Sequence, residues 1–168
     1  MKDALTDGEK GFSKILLAID GSKASMDAAE DAIEIAKNNK SQLIVIHVID
    51  FYKYPYLLSS TVLAPTFGSQ RFDEDKKKAG EWLKTIKEKF IQSNGIGNAD
   101  VNIDNSFKTE VIEGKASVAA TIVDYAETKN VDLIVIGSRG VTGFKKMLVG
   151  SVTSDVVKYA HCSVLVIR

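Results

Sequence analysis

Val131-Asp132-Leu133-Ile134-Val135-Ile136-Gly137-Ser138-Arg139-Gly140, followed after nine residues by Gly150-Ser151, is the stretch that decides how this chain folds. The apolar run predicts a buried β-strand. Ser151-Val152-Thr153-Ser154-Asp155-Val156-Val157 reads as the opening turns of a helix. Strand, glycine-rich loop and helix N-terminus together leave backbone N–H groups free to hold phosphate oxygens. Glycine suits such a loop because a side chain would hold a ligand away from the backbone and forbid positive φ. Loop glycines can also be plain turn residues, but here the third opens a helix and is followed by a hydroxyl residue. The segment is expected to bind a nucleotide.

Outward from this loop, strand-like and helix-like segments alternate along the whole chain. Lys14-Ile15-Leu16-Leu17-Ala18-Ile19 and Gln42-Leu43-Ile44-Val45-Ile46-His47-Val48 are near-continuous apolar runs, as expected of strands covered on both faces. Between them Ser22 is placed to cap a helix with Ala29, Ile33 and Ala36 on one side, and Asn38-Asn39 supplies a stop. A helix from about Asp73 to Gln92 carries Ala79, Trp82, Leu83, Ile86 and Phe90 as one stripe, opposite a Lys- and Glu-rich solvated face. Asn94-Gly95-Ile96-Gly97-Asn98 breaks it. A strand centred near Thr109-Glu110-Val111-Ile112 follows, then a helix with Val118, Ala119, Ile122 and Ala126 inward. Ser163-Val164-Leu165-Val166-Ile167 closes the chain as a fifth strand. Strands joined by helices of this length call for right-handed crossovers and an α/β fold with a parallel sheet.

Two pieces stand outside the rhythm. Residues 1–12 form a polar, flexible N-terminal extension ahead of one domain, 13–168. Residues 50–72 form a long connecting insert with Tyr52, Tyr54, Tyr56, Pro55, Pro65 and Phe67. Its aromatic content suits a flap over a ligand, a contact with a partner, or a cover for exposed core.

The 168 residues suffice for one ordinary domain. The 22 basic and 22 acidic residues cancel, so no global field favours nucleic acid or an anionic membrane. Apolar runs are strand-sized, no apolar signal-peptide core opens the chain, and the expected location is cytoplasmic. Cys162 is the one cysteine and reads as a small buried residue rather than a reactive thiol.

No Gly-x-x-x-x-Gly-Lys-Ser/Thr occurs, and no Gly-x-Gly-x-x-Gly follows the first strand, so the standard phosphate loop and the dinucleotide fingerprint are both excluded. Asp20, at the carboxyl end of the first strand, can accept ribose hydroxyls, help hold a metal, or simply cap the following helix. If the first and fourth strands are neighbours, Asp20 and Gly137 face each other across a topological switch point, where ligands bind. His47 and His161 have no ligand-like spacing with Cys162, and Lys145-Lys146 reads as a solvated pair. No nucleophile–base pair and no catalytic carboxylate pair stands out.

These residues resemble the universal stress protein family (UspA-like). The likeness runs from Lys14-Ile15-Leu16-Leu17-Ala18-Ile19-Asp20-Gly21-Ser22 through His47-Val48-Ile49-Asp50 and Asp132–Gly140 to Gly150-Ser151-Val152-Thr153 and Val164-Leu165-Val166. The chain satisfies the family's Gly-x-x-Gly, nine residues, Gly-Ser/Thr signature without a gap. The resemblance implies an open five-stranded parallel sheet of order 3-2-1-4-5 with helices on both faces. This is the Rossmann-type, adenine nucleotide alpha hydrolase-like fold. It also implies homodimers through the last strand, and ATP with Mg2+ carried by its phosphates. Carried over by motif, Asp20 meets the ribose, and Ala18 and Ile19 line its approach. Val48 contacts adenine through its backbone, and Ile136 and Gly137 lie beside the ribose. Gly140, Gly150, Ser151 and Val152 hold the phosphates. The departures are Cys162-Ser163, where the family often has proline, and the long 50–72 insert. The function expected is an ATP-binding, dimeric stress-response switch with little turnover, acting on an unidentified protein partner. Two alternatives stand beside it: a slow ATPase or phosphotransferase modifying itself at Ser151 or Thr153, and a nucleotide-free dimeric interaction protein.

Overall fold

A computed structural model describes residues 11–50, 53–54, 66–95, 103–114, 117–141 and 149–168. The elements run β1 (Lys14–Ile19), α1 (Lys23–Asn39), β2 (Gln42–Asp50), α2 (Thr66–Ser93), a one-turn α3 (Ile103–Ser106) and β3 (Phe107–Gly114). They continue through α4 (Val118–Thr128), β4 (Leu133–Gly137), α5 (Ser151–Tyr159) and β5 (Ser163–Ile167). All strands are parallel, in the order β3-β2-β1-β4-β5 expected from the resemblance.

Alternation along the strands divides the core in two. Ile15, Leu17 and Ile19 of β1 face α1 and α2, where they pack with Ala28, Ala32, Ile33, Leu83, Ile86 and Phe90. Leu16 and Ala18 face α4 and α5, against Ala119, Ile122, Ala126 and Val156. Ile15, Leu16 and Leu17 are wholly buried, which is why β1 reads as a continuous apolar run with no polar face. Each such side chain contributes about 1.5–3 kcal/mol by leaving water. The helix stripes expected from the sequence fall inward, with Val118 and Trp82 half-buried at their margins.

Four details differ from the sequence reading. Helix α2 begins at Thr66, so the last third of the expected 50–72 connection is helical, and β2 runs on to Asp50. The turn ending α1 uses Lys40, at φ 55, as its left-handed residue, one place beyond Asn39. Strand β4 starts at Leu133. Asp132 precedes it and accepts the Ser13 and Lys14 amides at 2.9 Å each, tying β4 to the start of β1. Cys162 is half-buried at the margin of the α4/α5 core rather than fully buried; that partial burial pushes its thiol pKa up and makes it less nucleophilic. The expected extension, 1–12, lies outside the described residues except for Gly11 and Phe12, as do Tyr52 and Tyr56 of the 50–72 insert and Lys145-Lys146.

Candidate nucleotide site at the switch point

Connections leave β1 toward α1 on one face and β4 toward α5 on the other, and the two strands are direct neighbours, with Ala18 opposite Ile136. Their carboxyl ends therefore open the crevice in which open α/β sheets bind ligands. Asp20 stands at its centre. Its Oδ1 accepts the Ser22 amide at 3.0 Å and its Oδ2 accepts the Val141 amide at 3.0 Å. The second bond joins residues far apart in sequence and draws the glycine loop onto the end of β1. A carboxylate has about four acceptor positions, so two are left for a ligand.

Around Asp20 the chain makes a tight serine-rich turn. Gly21 lies at φ +76, and a Cβ there would come within 2.2 Å of the Trp82 ring. Only glycine meets both conditions. The Ser22 hydroxyl caps α1 by accepting the Ser25 amide at 3.2 Å, and it donates to the Arg139 carbonyl at 3.3 Å. Buried Ser25 donates to the Ser22 carbonyl at 2.9 Å and accepts the Asp20 amide at 3.3 Å. His47 donates through Nδ1 to the Ile19 carbonyl, 2.8 Å away, and meets Trp82 edge-on at 5.5 Å between ring centroids. It serves the packing of the α1/α2 face.

The three signature glycines differ in what they do. A Cβ on Gly137 would lie 2.8 Å from backbone atoms of Ala24 and Ser25, so this glycine lets α1 approach the end of β4. One on Gly140 would lie 2.6 Å from Asp20 Oδ2 and displace the carboxylate. Gly150 has ordinary extended backbone, φ −74 and ψ 161, and a Cβ there finds contacts no closer than 3.6 Å. Backbone strain therefore gives no reason for glycine at 150. Its position supplies another: it is the N-cap of α5 and offers no side-chain hydrogen bond, whereas Ser22 and Ser117 cap α1 and α4 with their hydroxyls. The first turn of α5 also lacks acidic residues. Among the described residues no side chain accepts from its leading N–H groups, which lie beside the Gly140 amide, 3.8 Å from where a Gly150 Cβ would sit.

Of the residues singled out in the sequence, Ala18, Ile19, Asp20, Ile136, Gly137, Gly140, Gly150, Ser151 and Val152 meet around this crevice. Val48 lies one strand away on β2. Ser151 is exposed, but Thr153 is buried and its hydroxyl donates to the Gly137 carbonyl at 2.8 Å. Thr153 therefore fastens α5 to β4 and is not free for chemistry. The sequence reading placed Trp82 on a helix stripe without its contact to the Gly21 turn, and it missed Ser25: a small hydroxyl residue and an indole carry no signal of what they touch. Among the described residues no group of three or more His, Cys, Asp or Glu side chains could hold a metal.

The Universal stress protein family profile matches residues 11–168. A universal stress protein of Methanocaldococcus jannaschii is 35% identical over 170 residues, covering 100% of this chain and 89% of that one. The structure of universal stress protein UspA from Lactobacillus plantarum superposes with a TM-score of 0.67 at 29% identity, over 93% of this chain and 97% of that one. The universal stress protein from Archaeoglobus fulgidus in complex with dAMP shares the fold, with a TM-score of 0.62 at 21% identity over 94% and 99% of the two chains. With sheet order, glycine signature and sequence in agreement, this chain belongs to the universal stress protein family.

Proposed function

We propose that this chain binds an adenine nucleotide, ATP, at the β1/β4 switch point and works as a nucleotide-dependent switch with little turnover. The observation that carries the reading is the α5 N-terminus, entered through Gly150 with no side-chain cap and set across the crevice from Asp20. Backbone N–H groups in that position favour a phosphate anion. Gly140, Gly150, Ser151 and Val152 hold the phosphates in this reading, with Mg2+ carried on them. Asp20 accepts the ribose hydroxyls beside Ala18, Ile19, Ile136 and Gly137, and the Val48 backbone meets adenine. That the related Archaeoglobus fulgidus protein holds dAMP supports the adenine nucleotide. Low turnover is in keeping with Thr153, whose hydroxyl is held on the Gly137 carbonyl. Self-modification at exposed Ser151 is the second reading. Dimerisation through β5 belongs to the same proposal: β5 is a sheet edge with Val164, Leu165, Val166 and Ile167 half-buried.

Mass spectrometry of nucleotide released from the purified protein, with ATP retention and phosphate release measured separately, tests the reading. Retention without release supports the switch. Release at an enzymatic rate, or a phosphate on Ser151, replaces it by the second reading. Absence of any adenine nucleotide binding refutes both, and a monomer at micromolar concentration in sedimentation refutes the β5 dimer.

A further inference from the structure

The end of the sheet opposite the glycine loop carries a second concavity, of about 640 Å3, between α4 and the β3 edge. Its floor comes from three neighbouring strands: Lys14 of β1, Gln42 and Ile44 of β2, and Lys108 of β3. Tyr125 and Lys129 of α4 form one wall, and Lys87 of α2 reaches in around the edge.

The charges here are one-sided. Four lysines line the concavity, against one carboxylate, Glu110. Glu110 is already engaged, accepting the Tyr125 hydroxyl at 2.8 Å. Lys23, Lys76, Lys78, Lys84 and Lys89 elsewhere on the surface are ion-paired, but among the described residues none of these four is. Lys14 donates to the Lys129 carbonyl at 2.6 Å, and the Lys129 ammonium lies 5.5 Å from the centre of the Tyr125 ring. Neither contact supplies a negative charge.

The rim is a sheet edge. β3 pairs with β2 on one side, and among the described residues no strand pairs with the other. Lys108, Thr109 and Glu110 are exposed in succession at the start of the strand. Free edges template pairing, and edge lysines deter a second copy bearing the same lysines. They attract a strand of opposite charge. Lys14 and Lys108 lie two strands apart, roughly 10 Å across the sheet. An added strand runs alongside β3, perpendicular to that separation, so Lys108 and Lys87 at the edge meet its carboxylates, and Lys14 and Lys129 add positive field from across the sheet.

From this we propose that the β3 edge and the lysine-lined concavity beside it form a docking site for an acidic, extended segment of a partner protein, which adds to β3 as a strand. Main-chain hydrogen bonds supply affinity in this mode, and the lysines supply the preference for acidic sequence. The proposal is independent of the nucleotide reading, because the site lies at the other end of the strands.

A synthetic peptide of alternating glutamate and valine, titrated into the full chain, tests it by backbone amide shifts and hydrogen exchange. Expected are saturable binding, slower exchange of the β3 amides, and affinity that falls about tenfold in Lys108→Glu/Lys129→Glu. ATP affinity should be unchanged in that variant. Lys108→Gln/Lys129→Gln gives the same comparison if charge reversal impairs folding. The lysine–valine counterpart should not bind. The proposal is overturned by absence of saturation, by equal affinity in the variants, by preferential binding of a single-stranded oligonucleotide at these lysines, or by self-association of the chain through β3.

Discussion

Helices α1 and α5 begin on opposite sides of the same crevice, yet their N-termini are built differently. The first turn of α1 is closed by its own chain: Ser22 caps it, Ser25 buttresses the cap, and Trp82 lies over Gly21. That of α5 opens from a glycine with no side-chain cap. A helix start whose donors are satisfied internally organises the site, and one whose donors are not can bind an anion. The contrast also separates the glycines. Gly137 serves packing on the α1 side, and Gly150 has no packing reason to be glycine.

The sharpest way to break this contrast is to add a side chain on each side. Gly137→Val drives two branches into the α1 backbone and should cost about 3 kcal/mol of stability, the upper end for overpacking. Chemical denaturation reads this directly, and a Gly137→Val protein of unchanged stability would mean that α1 does not abut β4 here. Gly150→Val should leave stability within about 1 kcal/mol of the parent. It should nonetheless weaken ATP roughly a hundredfold or more, by crowding the phosphates. Unchanged ATP affinity in a folded Gly150→Val protein would remove the phosphate assignment.

Asp20 joins the two sides, and its replacement sharpens the comparison. Charge-assisted hydrogen bonds to the ribose contribute about 1.5–3 kcal/mol, so Asp20→Ala should weaken ATP by roughly ten- to a hundredfold. Adenosine and ADP should lose in proportion, and 2′-deoxy-ATP less, since one of its two bonds is already missing. A loss that grows with phosphate number and vanishes in EDTA would assign Asp20 to magnesium instead. Equal affinity of parent and variant for all four ligands would remove Asp20 from the site. The smallest effect belongs to the α1 cap. Ser22→Ala should cost about 1 kcal/mol of stability, with nucleotide affinity changed less than about fivefold. A hundredfold loss of ATP in a stable Ser22→Ala protein would make the α1 side part of the binding surface and erase the distinction.

What the amino-acid sequence by itself determined was the local and periodic part of this protein. Strands β1 and β5 are legible to the residue, β1 because covering on both faces demands an unbroken apolar run and β5 as a short apolar run even though it is only half-buried at the sheet edge. The helix stripes are legible because burial repeats every 3.6 residues, and the start of the loop because Gly137 and Gly140 stand where a Cβ would collide. Sheet order did not follow from periodicity; the resemblance to a family supplied it. Tertiary structure alone decided the rest. Thr66 as the start of α2, Trp82 over Gly21, Thr153 on the Gly137 carbonyl and the Val141 amide on Asp20 are single contacts between distant segments. Such contacts have no period to betray them. A serine, a threonine or an indole looks the same in sequence whether it faces water or its one partner, and only the packing of β1 beside β4 chooses.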